Sequence, residues 1–132
     1  MRRGCSLVKA LAAAFVAGAV ACGAIALSAR GTSSGPREIR IVARDMNFYI
    51  DGQTDPNPTL RLRAGETVRL VLRNDEAGMT HDFAIPGWKA ATRRIESGEE
   101  ASVTFRAPDG PDSQTYKCRP HGAIMRGTIL VE

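Results

Sequence analysis

Residues 37 to 132 predict an all-β Greek-key sandwich of about seven to eight strands. Apolar residues there alternate with polar or charged ones at period two, and turn-forming pairs cut the runs to strand length. No stretch of this region carries a convincing amphipathic helix. Many short, regularly punctuated strands fold as a sandwich or barrel.

Taken in order, Ile39 and Ile41 flank Arg40 in a first strand near 38 to 43, and a second runs near 46 to 49 before Asp51-Gly52. Leu60 and Leu62 alternate with Arg61 and Arg63 over 59 to 63. After Ala64-Gly65, Val68, Leu70 and Leu72 alternate with Arg69 and Arg73 over 67 to 73. Segments 81 to 85 and 92 to 95 are bounded by Pro86-Gly87 and Ser97-Gly98. Val103 and Phe105 surround Thr104 in a strand over 101 to 106. Asp109-Gly110-Pro111 then leads to 114 to 118 and finally 126 to 131. One or two of these nine segments are expected to be irregular, which gives the count of seven to eight.

An N-terminal apolar helix is expected before the sandwich. Arg2, Arg3 and Lys9 precede an uncharged, almost wholly apolar run from Ala10 to Ala29, so residues 1 to 30 read as a signal or membrane-anchor segment. About twenty apolar residues can span a bilayer, and an uncleaved single-span anchor is the expectation. Cleavage after Ala21 or Ala29 also fits the small-residue rule. Ala19-Val20-Ala21-Cys22 resembles a lipoprotein cleavage box without its usual Leu. Residues 31 to 36, Gly-Thr-Ser-Ser-Gly-Pro, form a flexible linker. Under each option the domain is exported, to the periplasm or another extracytoplasmic face.

The net charge of +4 does not point to nucleic acid. Without Arg2, Arg3 and Lys9 the 18 basic residues fall to 15 against 14 acidic ones, and the rest alternate with apolar residues as a solvated strand face does.

The chain has only two histidines, His81 and His121, and one cysteine beyond the leader, Cys118. Cys118, His121 and Met125 share one loop between the last two predicted strands, while His81 follows the loop from Asn74 to Thr80. Loops cluster at the ends of a sandwich, so these groups can meet at one pole. A thiolate, imidazoles and a thioether suit a soft, redox-active ion, copper as Cu(I) or Cu(II). Zinc also accepts Cys and His and stays open as an alternative. A lone Cys is often just a small buried hydrophobe, yet Cys118 has no disulfide partner in the domain, and a free thiol in an oxidising compartment is a liability unless metal occupies it.

The pattern Cys118-x-x-His121-x-x-x-Met125, followed by Gly127 and Thr128-Ile129-Leu130-Val131, resembles the cupredoxins, the blue-copper family of plastocyanin, amicyanin and pseudoazurin. Asn74, His81 and Phe105-x-Ala107-Pro108 extend the resemblance over most of residues 38 to 132. It implies one copper ion with His81, Cys118 and His121 as trigonal ligands and Met125 as a weak axial one, with Met79 as the rival for that place. The His-to-Met gap falls between those of amicyanin-like and plastocyanin-like loops. In many relatives an Asn after the first histidine bonds the residue after the cysteine. Here Asp82 and Arg119 stand at those positions, which predicts a charge-assisted pair tying the two ligand loops together.

The function implied is that of a single-electron carrier that docks transiently with redox partners near His121 and takes no small-molecule substrate. The alternative is copper storage, delivery or sensing without electron relay. An enzyme is not expected: two histidines cannot supply the further copper sites of an oxidase, and no nucleophile triad or phosphate loop is present.

Overall fold

The computed structural model describes residues 35–132. The segment assigned as signal or anchor and most of the linker lie outside the described residues. Among the described residues no helix is long and apolar enough to cross a membrane.

Among the described residues nine strands form two sheets: β1 (Arg37–Arg44), β2 (Asn47–Ile50), β3 (Leu60–Leu62), β4 (Thr67–Asn74), β5 (Ala84–Ile85), β6 (Ala90–Ala91), β7 (Glu100–Arg106), β8 (Asp112–Lys117) and β9 (Arg126–Val131). One sheet has the order β2-β1-β4-β7 and the other β3-β9-β8-β5-β6. The pairs β1·β4 and β3·β9 are parallel and the remainder antiparallel. Parallel neighbours need long connections, so the chain crosses between sheets.

The period-two prediction is met most clearly in β4. Val68, Leu70 and Leu72 are fully buried, while Thr67 and Arg69 on the opposite pleat are exposed. Arg69 pairs with Glu38 on the neighbouring strand, Arg73 with Asp75, and Arg106 with Asp109. These exposed pairs add little stability individually, and they account for the arginine-rich surface as a solvated face.

Two predicted segments differ. The strand expected over 81 to 85 is reduced to Ala84–Ile85, with His81 joined to Ile95 by an isolated bridge. The one expected over 92 to 95 is absent, and the edge strand is Ala90–Ala91. Phe83 and Thr92 do exchange bonds, through the Thr92 N–H to the Phe83 carbonyl at 2.9 Å and the Phe83 N–H to Thr92 Oγ1 at 3.0 Å. The Thr92 carbonyl instead accepts from Arg119 Nη2 at 3.3 Å, so an acceptor that a ladder would use is taken by a side chain.

Both sheets contribute to one core. Within it lie three aromatic rings: Phe83 stacks on Tyr116 at 4.9 Å, and Phe48 meets both edge-on at 5.4 and 5.7 Å. The buried Tyr116 hydroxyl donates to the Pro58 carbonyl at 2.7 Å, which satisfies its one polar atom. Tyr116 shares its buried strand face with Cys118 two residues on, and all four residues belong to the same core, which gives the loop after β8 a packed floor.

Candidate metal centre

The β8·β9 ladder ends at the pair Lys117↔Arg126, and residues 118 to 125 bridge the gap. Backbone bonds fold this loop back on itself. The Cys118 N–H donates to the Met125 carbonyl at 3.0 Å, and the His121 N–H to the Cys118 carbonyl at 3.2 Å. The Ile124 and Met125 N–H groups both donate to the His121 carbonyl at 3.0 Å. One short loop is thereby compelled to present Cys118, His121 and Met125 close together.

His81 comes from the other side, fixed by two backbone bonds with Ile95 at 3.1 and 2.8 Å. Asn74 organises the loop before it: its Nδ2 donates to the carbonyls of Met79 and Ile95, and its Oδ1 accepts the Glu76 N–H at 2.9 Å. Asn74 is buried, so its role as a loop former is carried by its side chain.

The ligand-capable atoms of His81, Cys118 and His121 all lie within 4.8 Å of one another. Cys118 Sγ is 3.7 Å from His81 Nδ1 and 3.5 Å from His121 Nδ1. The two imidazole rings meet edge to face at 5.1 Å. His81 and Cys118 are buried, while His121 is half-buried at the surface. Met125 is wholly buried within the same core cluster as Cys118. Met79 is half-buried, with its carbonyl tied to Asn74.

Burial pushes the His81 pKa below its ordinary value, against an opposing pull from Glu76, so the ring is kept neutral and able to bind metal near pH 7. Burial raises the Cys118 thiol pKa, with the N–H groups of Asp82 and His121 acting in the opposite direction. A metal ion that draws out the thiolate must displace a proton to do so. The donor set fits copper: one sulfur and two imidazole nitrogens converge, and a thioether lies in the adjoining core.

A model of the copper-binding proteins of the plastocyanin/azurin family matches residues 56–132, more than half of the chain. The protein is a cupredoxin. Its cofactor is copper. Solved structures similar to this cupredoxin include a dithionite-reduced auracyanin from the photosynthetic bacterium Roseiflexus castenholzii, with 18% identity, a TM-score of 0.59, and coverage of 74% of this chain and 99% of that one. Rusticyanin from Thiobacillus ferrooxidans has 22% identity, a TM-score of 0.56 and coverage of 75% and 79%. The McoA multicopper oxidase of Aquifex aeolicus has 19% identity and a TM-score of 0.58; 73% of this chain is covered but only 26% of the oxidase. At these identities the structures establish the fold alone. No curated protein sequence matches this cupredoxin.

The predicted Asp82–Arg119 pair is present. The buried Asp82 accepts the Arg119 backbone N–H at Oδ1 and Arg119 Nε at Oδ2, both at 2.8 Å. It thus joins the His81 segment to the cysteine loop with one backbone bond and one charged bond. Arg119→Ala leaves a buried carboxylate with a single donor. Because the guanidinium is half-exposed, a loss of about 1–2 kcal/mol is expected in denaturant unfolding of the metal-free protein, and Asp82→Asn is expected to lose about 1 kcal/mol. Unchanged midpoints for both would show that the pair does not tie the loops.

Glu76 was not identified from the sequence. Its Oε2 is 2.9 Å from His81 Nε2. The only signal was an acid five residues before a histidine, which reads equally well as a solvated loop residue.

Proposed function

We propose that this cupredoxin is an exported single-electron carrier in which His81, Cys118 and His121 hold one copper ion and Met125 adds a weak axial contact. The observation that carries the reading is the closure of one thiol and two imidazole Nδ1 atoms around a point from which His121 alone leads to the surface. Bound copper would supply a one-electron couple.

The protein's own residues do the rest. The rigid floor of Phe48, Phe83 and Tyr116 and the bonds that close the 118–125 loop keep the donors in place, so a change of oxidation state requires little rearrangement. Buried His81 and Cys118 exclude water. His121 offers its ring edge as the exit. Beside it, Ile124 is 58% exposed, the only exposed large hydrophobic among the described residues. Together with exposed Ala123 and Pro120 it makes a small apolar surface suited to transient docking of redox partners. The site works outside the cytoplasm, with residues 1 to 30 as export signal or anchor. A single buried cysteine among the described residues agrees with an oxidising compartment when metal caps it.

Cyclic voltammetry of the copper-loaded protein tests the carrier role against storage: a reversible one-electron wave is expected, and firm Cu(I) binding without reversible oxidation would contradict it. Met125→Leu conserves buried volume but replaces a donor near the ion by an apolar group. It is expected to favour Cu(I) about tenfold, a rise of about 59 mV. Met79→Leu is expected to leave the potential unchanged, and the reverse result would transfer the axial role to Met79.

A further inference from the structure

Glu76 lies in the loop between β4 and His81, outside the thiol and imidazole group. Its Oε2 lies 2.9 Å from His81 Nε2 and accepts the Met46 N–H at 3.1 Å. Met46 belongs to the tight turn between β1 and β2, where Asp45 and Met46 both have left-handed backbone, φ 49 and 56. The Glu76 N–H is itself held by Asn74 Oδ1. The side chain is only 19% exposed, so the carboxylate is fixed by groups from two loops and partly shielded from water.

A carboxylate at this place does two things. As an acceptor without a proton of its own it fixes hydrogen on His81 Nε2, which turns the Nδ1 lone pair toward Cys118. As a charge it stands one imidazole ring away from the ion, in a setting of reduced dielectric, where negative charge stabilises the more highly charged metal state. A backbone carbonyl would fix the tautomer equally well, so the charge is what the carboxylate adds.

We propose that Glu76 is a positioning residue that, through its bond to His81, selects the metal-binding tautomer and biases the copper site toward the oxidised state. The inference rests on the copper-carrier reading above. The step it governs is Cu(II) plus one electron giving Cu(I), with the electron from a one-electron mediator and no proton transferred.

Redox titration of the copper-loaded full-length chain with such mediators tests it in wild type and Glu76→Gln. Gln keeps an acceptor for His81 and Met46 at similar length and removes only the charge. The preference for Cu(II) over Cu(I) is expected to fall about tenfold, a rise in potential of about 59 mV, with the visible band retained. In the metal-free full-length chain, nitrogen-15 NMR of the imidazoles is expected to show His81 protonated at Nε2, and Glu76→Leu is expected to mix the two tautomers. An unchanged potential in Glu76→Gln with the band intact overturns the redox bias, and an Nδ1-protonated His81 in the wild type overturns the tautomer role. A wild type without the band at all would instead remove the copper-carrier reading, and the tautomer measurement would still judge the contact itself.

Discussion

Cys118→Ser is expected to abolish the intense visible absorption of the copper(II) protein altogether while the sandwich remains folded. The absorption of such a site arises from charge transfer between a thiolate and copper(II), and Cys118 is the only cysteine among the described residues. A serine hydroxyl offers a hard, poorly ionised oxygen and no equivalent transition. The fold should survive because Cys118 is held by backbone bonds, its N–H to Met125 and its carbonyl to His121, which a serine keeps. The hydroxyl can also donate to one of the two facing Nδ1 atoms, so burial leaves no unpaired polar group. Circular dichroism and the visible spectrum on the same sample decide the matter. A persisting strong band in Cys118→Ser would mean that the metal is held elsewhere.

Gly127→Ala is expected to destabilise the domain by about 3 kcal/mol, or roughly 10–20 °C in Tm. Gly127 stands directly opposite Tyr116 in the β8·β9 ladder, and the Tyr116 ring lies over it. An added Cβ would fall inside contact distance of Tyr116 Oη and Cζ and 2.7 Å from Cε1. The ring cannot move aside cheaply: it is fully buried, stacked on Phe83 and bonded to Pro58. Displacing it would also disturb the floor beneath Cys118. Gly110→Ala, where an added Cβ meets nothing within 4 Å, is the control and should change stability by less than about 0.5 kcal/mol. Equal melting temperatures for the two variants would contradict the packing described.

Much of this was legible in the sequence because each signal was local. The alternation of Val68, Leu70 and Leu72 with charged residues is written within one strand, and the Cys118 to Met125 loop carries three donors in eight residues. The Asp82–Arg119 pair was readable only because two distant positions were compared with a family pattern. What was missed depends on contacts between segments. The Thr92–Ile95 segment has strand-like composition, but the Arg119 side chain takes its Thr92 carbonyl and the edge strand forms earlier, at Ala90–Ala91. The turn Pro86–Trp88, ending in left-handed Lys89, sets that position. Glu76 matters because the β1–β2 turn and His81 converge on it, and nothing in its own neighbourhood announces that.

The most direct measurement is the visible spectrum of the purified protein after loading with copper(II) and again after one-electron reduction. An intense band at roughly 600 nm that bleaches on reduction and returns on reoxidation is the result expected of a Cys118, His81 and His121 centre. A protein that stays colourless with copper(II), or that holds zinc or Cu(I) alone, would contradict the claim that this site carries electrons.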